Sequence, residues 1–194
     1  LVAKTQPAKL AAMEGQYRTE RGAPLRIGGL PDDDARETRW AIEVPGGLSF
    51  LAFGDPEATV LGLEEVPRED WPNTPVVHLA FQAMVGCGSA LAAVALLVGV
   101  QVARRRRLTD GKWTLRALAC CAPLGFLATE AGWVVTEMGR QPWIIQGVLR
   151  TRDAVTPMKG LVVPFTVFTV LYLFLAVVVA GLIRRQVLSV PRSA

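Results

Sequence analysis

A chain of 194 residues that is 51% hydrophobic and 20% charged, with a mean hydropathy of +0.33, is too apolar for an ordinary soluble domain and too polar to lie wholly in a membrane. Its net charge of +4 is unevenly placed: nine of the seventeen acids lie between Glu14 and Glu57, whereas Arg104, Arg105, Arg106 and Arg107 form one block with Lys112 and Arg116 close behind. Directly after an apolar run, such a block reads as the cytoplasmic edge of a membrane span, so no nucleic-acid partner is expected.

Residues 1–75 are polar and turn-rich, with eight prolines from Pro7 to Pro75, and no window in them is apolar enough to cross a bilayer. The clear helical signal is the run from Pro7 to Gly15, with good helix formers between a proline at the start and a glycine at the end. Lys9 and Glu14 are five apart on it, which is not an ion-pair spacing, and composition alone makes them solvated charges on a short surface helix. From Ile27 to Leu63 short apolar groups alternate with Gly, Pro and acids, and periodicity leaves brief strands and irregular loop equally open. No regular core is expected there.

Residues 76–103 form an apolar run long enough for a tilted transmembrane helix. It opens with His78 and Gln82, carries Met84, and has the small-residue series Gly86, Gly88, Ser89 and Ala90, which suits close approach of another helix. A basic turn, 104–113, leads to a second span, 114–138, which Pro123 should kink. A loop, 139–160, precedes a third span, 161–183, and a tail, 184–194, with Arg184, Arg185 and Arg192. The fold class read from this pattern is an all-α membrane protein with three transmembrane helices and a long extracytoplasmic region at the amino end. The positive-inside rule puts 104–113 and 184–194 in the cytoplasm, and 1–75 and 139–160 outside. Cys87, Cys120 and Cys121 lack metal-site or disulfide spacing and read as small buried hydrophobes. The chain begins with Leu and has no charged-then-apolar leader, which reads as a piece of a longer chain.

Two carboxylates at membrane depth carry the chemistry. Glu130 and Glu137 are two helical turns apart and share a face. Each costs several kcal/mol in a span unless it meets a cation, a metal or a proton. Arg140 is near enough to pair with Glu137, and Trp133 offers a planar ring one turn earlier. Met84 either packs as an ordinary side chain or serves as a haem thioether ligand, and His78, six residues earlier, is on the wrong part of the helix to share its iron.

The run Gly139-Arg140-Gln141-Pro142-Trp143, with Gly132-Trp133 and Glu137 before it, resembles the signature of subunit I of the cytochrome bd family of quinol oxidases. The resemblance extends to Met84-Val85-Gly86-Cys87-Gly88 and to Lys9-Leu10-Ala11-Ala12-Met13-Glu14, in the same order, over nearly the whole chain. It implies that Met84 ligates a low-spin haem b and that Glu137 ligates a high-spin haem b beside haem d. Trp133 would then lie near that site and Arg140 would balance its charge, while Lys9 and Glu14 would belong to the quinol site, where a carboxylate accepts a proton from the quinol hydroxyl. The implied activity is quinol oxidation coupled to reduction of oxygen to water in the bacterial cytoplasmic membrane. The implied partners are the remainder of subunit I, subunit II, a small accessory subunit, quinol, oxygen and lipid. Gln82 departs from members with an Arg two residues before the haem methionine, and with His78 it resembles the cyanide-insensitive branch; the loop after Glu14 resembles the short type. The haem-ligating histidines of the family are absent, so this chain is expected to be the carboxy-terminal part of subunit I and inactive alone. Glu130 is expected on a proton path or in a haem pocket. Two rival readings have no haem: a membrane interaction protein with a buried Glu130, Glu137 and Arg140 network, and a transporter that relays protons through the two glutamates.

Overall fold

The computed structural model describes residues 2–105, 111–155 and 159–189; Arg106, Arg107 and Arg192 of the expected basic segments lie outside them. The chain divides into two compact units, Leu1–Ala154 and Val155–Ala194.

The first unit opens with a short helix α1 (Val2–Thr5) and α2 (Pro7–Glu14). Pro7 suits the first turn because its missing N–H has no intrahelical partner there, and Gly15 ends the helix in the left-handed region at φ +62°. A side chain on Gly15 would also collide with Thr38 Oγ1, which donates a 2.9 Å hydrogen bond to the Gly15 carbonyl. Far from being a surface helix with solvated charges, α2 buries Ala8, Ala11, Ala12 and Glu14, the last only 4% exposed. The five-residue spacing sends Lys9 and Glu14 to different sides of a helix that is covered on both.

Beyond α2 the segment left open by periodicity is built from nested antiparallel pairs. β3 (Leu30–Asp32) pairs with β4 (Glu37–Arg39), β2 (Leu25–Ile27) with β5 (Ile42–Val44), and β1 (Glu20–Arg21) with β6 (Thr59–Val60). A helix, α3 (Gly47–Phe53), is inserted between β5 and β6. Among the described residues two small cores form, both shared with α2 and so not the segment's own. Ala11, Ala12, Tyr17, Leu63 and Val77 make one, flanked by Met13 and Trp71; Ala23, Leu48 and Val60 make the other, against Leu10 and Leu25. The first joins α2 to Leu63 and Val77, the second joins α2 to β2 and β6, and residues so far apart in sequence leave no local period to announce them. The ends of the excursion meet: the Leu63 and Glu64 N–H groups donate to Gln16 O and Tyr17 O, each at 3.0 Å.

Among the described residues three helical segments are long and apolar enough to cross a membrane. α4 (Thr74–Arg105) starts two residues earlier than the apolar run, because Asn73 accepts from the Val76 N–H through its side chain. The second span is α5 (Lys112–Cys121) and α6 (Leu124–Met138), broken at Ala122-Pro123. Proline has no N–H to continue the ladder. α4 packs along α6, but not through its glycine series: a Cβ on Gly86 or Gly88 would meet nothing within 4 Å. The close approach comes from the other helix, at Gly132. The cysteines are free; Cys120 is exposed and the other two half-buried, so the expectation of buried hydrophobes fails within this chain. After α6 a hairpin of β7 (Trp143–Ile145) and β8 (Leu149–Arg150) ends in a 3-10 turn over Thr151–Ala154.

The second unit is built on α7 (Val162–Ser189), apolar around its circumference, with Phe168 and Tyr172 stacked at 6.5 Å and the hydroxyls of Thr166 and Thr169 turned back onto carbonyls four residues earlier. A helix apolar all round suits a lipid solvent.

Candidate functional site

The end of α2, the strand β2 and the first turns of α4 enclose a cavity of about 660 Å³, a size suited to a small organic ligand. Its α4 wall is Phe81, Gln82, Val85, Gly86 and Ser89, residues that recur at helical spacing and so share a face. Leu25 to Gly28 and Leu51 form the opposite side, and Glu14 reaches in from α2. Glu14 Oε2 is buried and has no hydrogen-bond partner. Burial pushes this carboxyl up to about 7, with Arg26 pulling the other way. Arg26 is itself tied down, donating to Gln16 Oε1 and, at 3.0 Å, to Glu43 Oε1. A proton acceptor poised near neutrality in an apolar pocket is the arrangement general-base chemistry needs.

Two side chains of α4 hang the cavity's outer wall on the helix. Gln82 Nε2 donates to Arg26 O at 2.9 Å, and its Oε1 accepts from the Gly28 N–H at 3.0 Å. One turn earlier His78, fully buried, faces Gly28 O with Nε2 at 3.0 Å and Met13 O with Nδ1 at 2.8 Å. With both ring nitrogens turned to backbone carbonyls, neither faces a site open to a metal in this arrangement.

Met84 points to a different side of α4, away from the cavity face. A Cβ built on Gly132 of α6 would lie 3.0 Å from Met84 Sδ, so the thioether sits in the notch that Gly132 leaves. Trp133 beside it is 63% exposed. Further along α6, Glu137 is ion-paired with Arg140, both side chains between one-third and two-fifths exposed. Lys9 joins this pair rather than Glu14: its stem lies against Gly139, and its ammonium is lowered by burial first, then by Arg140, with Glu137 opposing. Lys9 does not line the cavity. The Glu137–Arg140 pair is not buried, and Glu130 is exposed two turns away in a separate hollow with Ala122, Gly125, Phe126 and Thr129 at the Pro123 break. The anticipated buried three-member network is therefore absent from the described residues.

The Gly139–Trp143 turn is fixed by its own bonds. Gln141–Pro142 is cis, the Thr151 N–H donates to Pro142 O at 2.9 Å, and Trp143 lies under Arg150, whose guanidinium is 4.8 Å from the ring centroid. Arg150 also binds Asp70 at 2.8 Å, which joins this turn to the segment before α4. Sequence reasoning misses Arg26, Gln16 and Arg150 altogether, and no local pattern marks them, since their partners are 10 to 80 residues away. It also misses what His78 and Gln82 hold; for these two the spacing of four on one helix face is the available signal.

Among the described residues no group of three His, Cys, Asp or Glu side chains is placed to hold a metal ion. A thioether beside a glycine notch and a half-exposed carboxylate, with an open tryptophan face between them, nevertheless fits the donor set of haem iron, provided that the remaining ligands come from outside this chain.

Comparisons with known proteins agree in order and extent. Residues 1–191 match the family model for cytochrome bd terminal oxidase subunit I. A Bacillus subtilis chain named as a candidate cytochrome bd menaquinol oxidase subunit I is 38% identical over 176 residues, 90% of this chain and 39% of that one. A second Bacillus subtilis protein, cytochrome bd ubiquinol oxidase subunit 1, is 31% identical over 198 residues, 95% of this chain and 42% of its own length. The solved bd oxidase of Geobacillus thermodenitrificans superposes with a TM-score of 0.82 at 34% identity, over 98% of this chain and 44% of that one. The chain thus spans less than half the length of the relatives it matches. With three membrane-length helices and a match over nearly all of its residues, it belongs to the cytochrome bd terminal oxidase subunit I family.

Proposed function

We propose that this chain supplies the quinol site and part of the haem site of a membrane quinol:oxygen oxidoreductase, acting with the rest of subunit I, with subunit II and with a small accessory subunit. The observation that carries the reading is Glu14: a 4%-exposed carboxyl with an unpartnered oxygen in an apolar cavity on the membrane-entry turns of α4. A quinol ring fits among Phe81, Val85 and Leu25, and Glu14, ionised, takes the proton of one ring hydroxyl as one electron leaves the ring. Arg26 in the wall holds the carboxylate against burial until the proton arrives. Lys9 serves the site from its other side, fixing α2 to the Glu137–Arg140 end of α6.

Haem, when bound, supplies electron transfer and oxygen reduction. Met84 would hold the iron of low-spin haem b and Glu137 that of high-spin haem b, with Trp133 and Arg140 serving the latter, Arg140 by balancing its charge; haem d would be the third haem of the assembled oxidase. The histidine ligands would come from other helices. α4, about 10 Å across with its side chains, separates the cavity from Met84, so the electron crosses one helix while the proton stays outside it. The outside is assigned to 1–75 and 139–160, and the bacterial cytoplasm to 104–113 and 184–194, from the basic residues flanking the spans. Glu130, which lines a separate hollow, would serve as a proton-path or haem-pocket residue; unchanged oxygen uptake and haem spectrum in Glu130→Gln would remove it.

The test is the Glu14→Gln variant in the assembled oxidase. Quinol-dependent oxygen uptake is expected to fall about a hundredfold with the haem absorption spectrum retained. Unchanged uptake, or a wild-type complex without a Soret band, overturns the reading.

A further inference from the structure

We propose that His78 and Gln82 form a clamp on the backbone of Arg26–Gly28 and Met13, and that they are positioning residues for quinol oxidation. The inference rests on reading the cavity as the quinol site.

One edge of β2 is paired with β5, and the strand's other edge faces α4. Gln82 satisfies Arg26 O and the Gly28 N–H with the two ends of a single amide, and His78 lies 3.0 Å from Gly28 O, so three backbone groups at the end of β2 are met by two side chains one turn apart. The helix thereby does what a neighbouring strand would do. A primary amide suits this role because its donor and acceptor are fixed side by side; an arginine at the same position would have donors only and could not accept from the Gly28 N–H.

The clamp acts on both halves of the cavity. Leu25 to Gly28 are its wall, and the second His78 nitrogen lies 2.8 Å from Met13 O, the carbonyl of the residue before Glu14, so the one ring sits between both halves. Gly15 closes the other side of Glu14 in a conformation that only glycine takes easily. The proton acceptor and the wall opposite it are thus hung from one face of α4, the same helix that lines the cavity as far as Ser89. Neither residue needs to touch quinol through its side-chain polar atoms, which are committed to backbone.

The experiment uses the assembled oxidase carrying Gln82→Leu, which keeps the bulk and removes both amide bonds. Two quantities are read: hydrogen exchange of residues 25–28, and oxygen uptake driven either by quinol or by an artificial one-electron donor that bypasses the quinol site. Faster exchange, a quinol KM raised about tenfold and unchanged uptake from the artificial donor are expected. Gln82→Glu keeps the acceptor for the Gly28 N–H and loses the donor to Arg26 O, so its KM should fall between the two. It carries the test if the Leu variant does not assemble. Unchanged exchange overturns the clamp itself. Faster exchange with an unchanged quinol KM overturns the positioning role and counts against the cavity as the quinol site. Equal loss with both donors, together with an altered low-spin haem band, overturns the proposal by assigning Gln82 to the haem.

Discussion

Met84 sets its sulfur against the bare backbone of Gly132, with 3.0 Å between Sδ and the point where a Cβ would begin. The α4–α6 contact therefore leaves room for the Met84 thioether, a soft ligand atom. Gly132→Ala should move the thioether by a few tenths of an ångström. A change in the low-spin haem's midpoint potential, with Glu14-dependent quinol binding unaltered, is the expected result of a redox titration; an unchanged potential would separate Met84 from the iron.

The buried carboxyl gives a pH dependence with a definite sign. Glu14 must be ionised to accept a proton, and burial raises it to about 7, so quinol-dependent uptake should fall as pH drops through about 7. Arg26→Met removes the charge that opposes this rise, and the acid limb should then move to higher pH. A profile that does not move would mean that the guanidinium does not act on Glu14.

Stability follows the same group in the opposite direction. The native state favours protonated Glu14, so its contribution is fully present below about 4.5 and is lost as pH rises through about 7. Glu14→Gln, neutral at every pH, should leave stability unchanged near pH 4. At pH 8 it should raise it by about 3 kcal/mol, since each tenfold difference in proton affinity between the folded and unfolded chain is worth about 1.4 kcal/mol. Thermal inactivation midpoints at the two pH values measure it.

Gly139→Ala would place a Cβ 2.5 Å from Val135 O and 3.2 Å from Lys9 Cγ. The lysine stem yields easily and the backbone does not. The turn through Trp143 must shift, at a cost of about 2 kcal/mol. A lowered melting midpoint together with a perturbed high-spin haem band would reveal it.

Arg150→Met strips Asp70, whose side chain is 14% exposed, of its cation, and it uncovers Trp143. The expected loss is about 3 kcal/mol, from a nearly buried charge left unpaired. Changed tryptophan emission and a lower denaturation midpoint would report it.

The membrane spans are legible in the sequence because bilayer thickness demands a long apolar run, and the break at Pro123 because a missing N–H is written in the residue itself. The order of the GRQPW, Met84 and Lys9-to-Glu14 blocks points to the family. The partnerships are not legible. Sequence proximity groups Lys9 with Glu14, whereas in space Lys9 keeps company with Glu137 and Arg140. Glu14 reads as solvated because α2 is short and its coverings, from strands and from α4, come from residues at least ten positions further along the chain. The nested pairs leave no trace because strands of two or three residues are too short to establish a period.

The meeting of Gln16 and Tyr17 with Leu63 and Glu64 makes the stretch between them a cassette. Its two ends are pinned at one point beside Glu14, and its interior is held to the end of α2 and to α4 through Thr38, Arg26 and Gly28. That interior includes Leu25 to Gly28, the wall that faces the ligand, while the proton acceptor lies outside it. The wall and the proton acceptor thus lie on separate stretches of the same chain that meet through Arg26, and a graft of residues 18–62 between relatives would carry the wall together with the guanidinium that opposes the rise of Glu14.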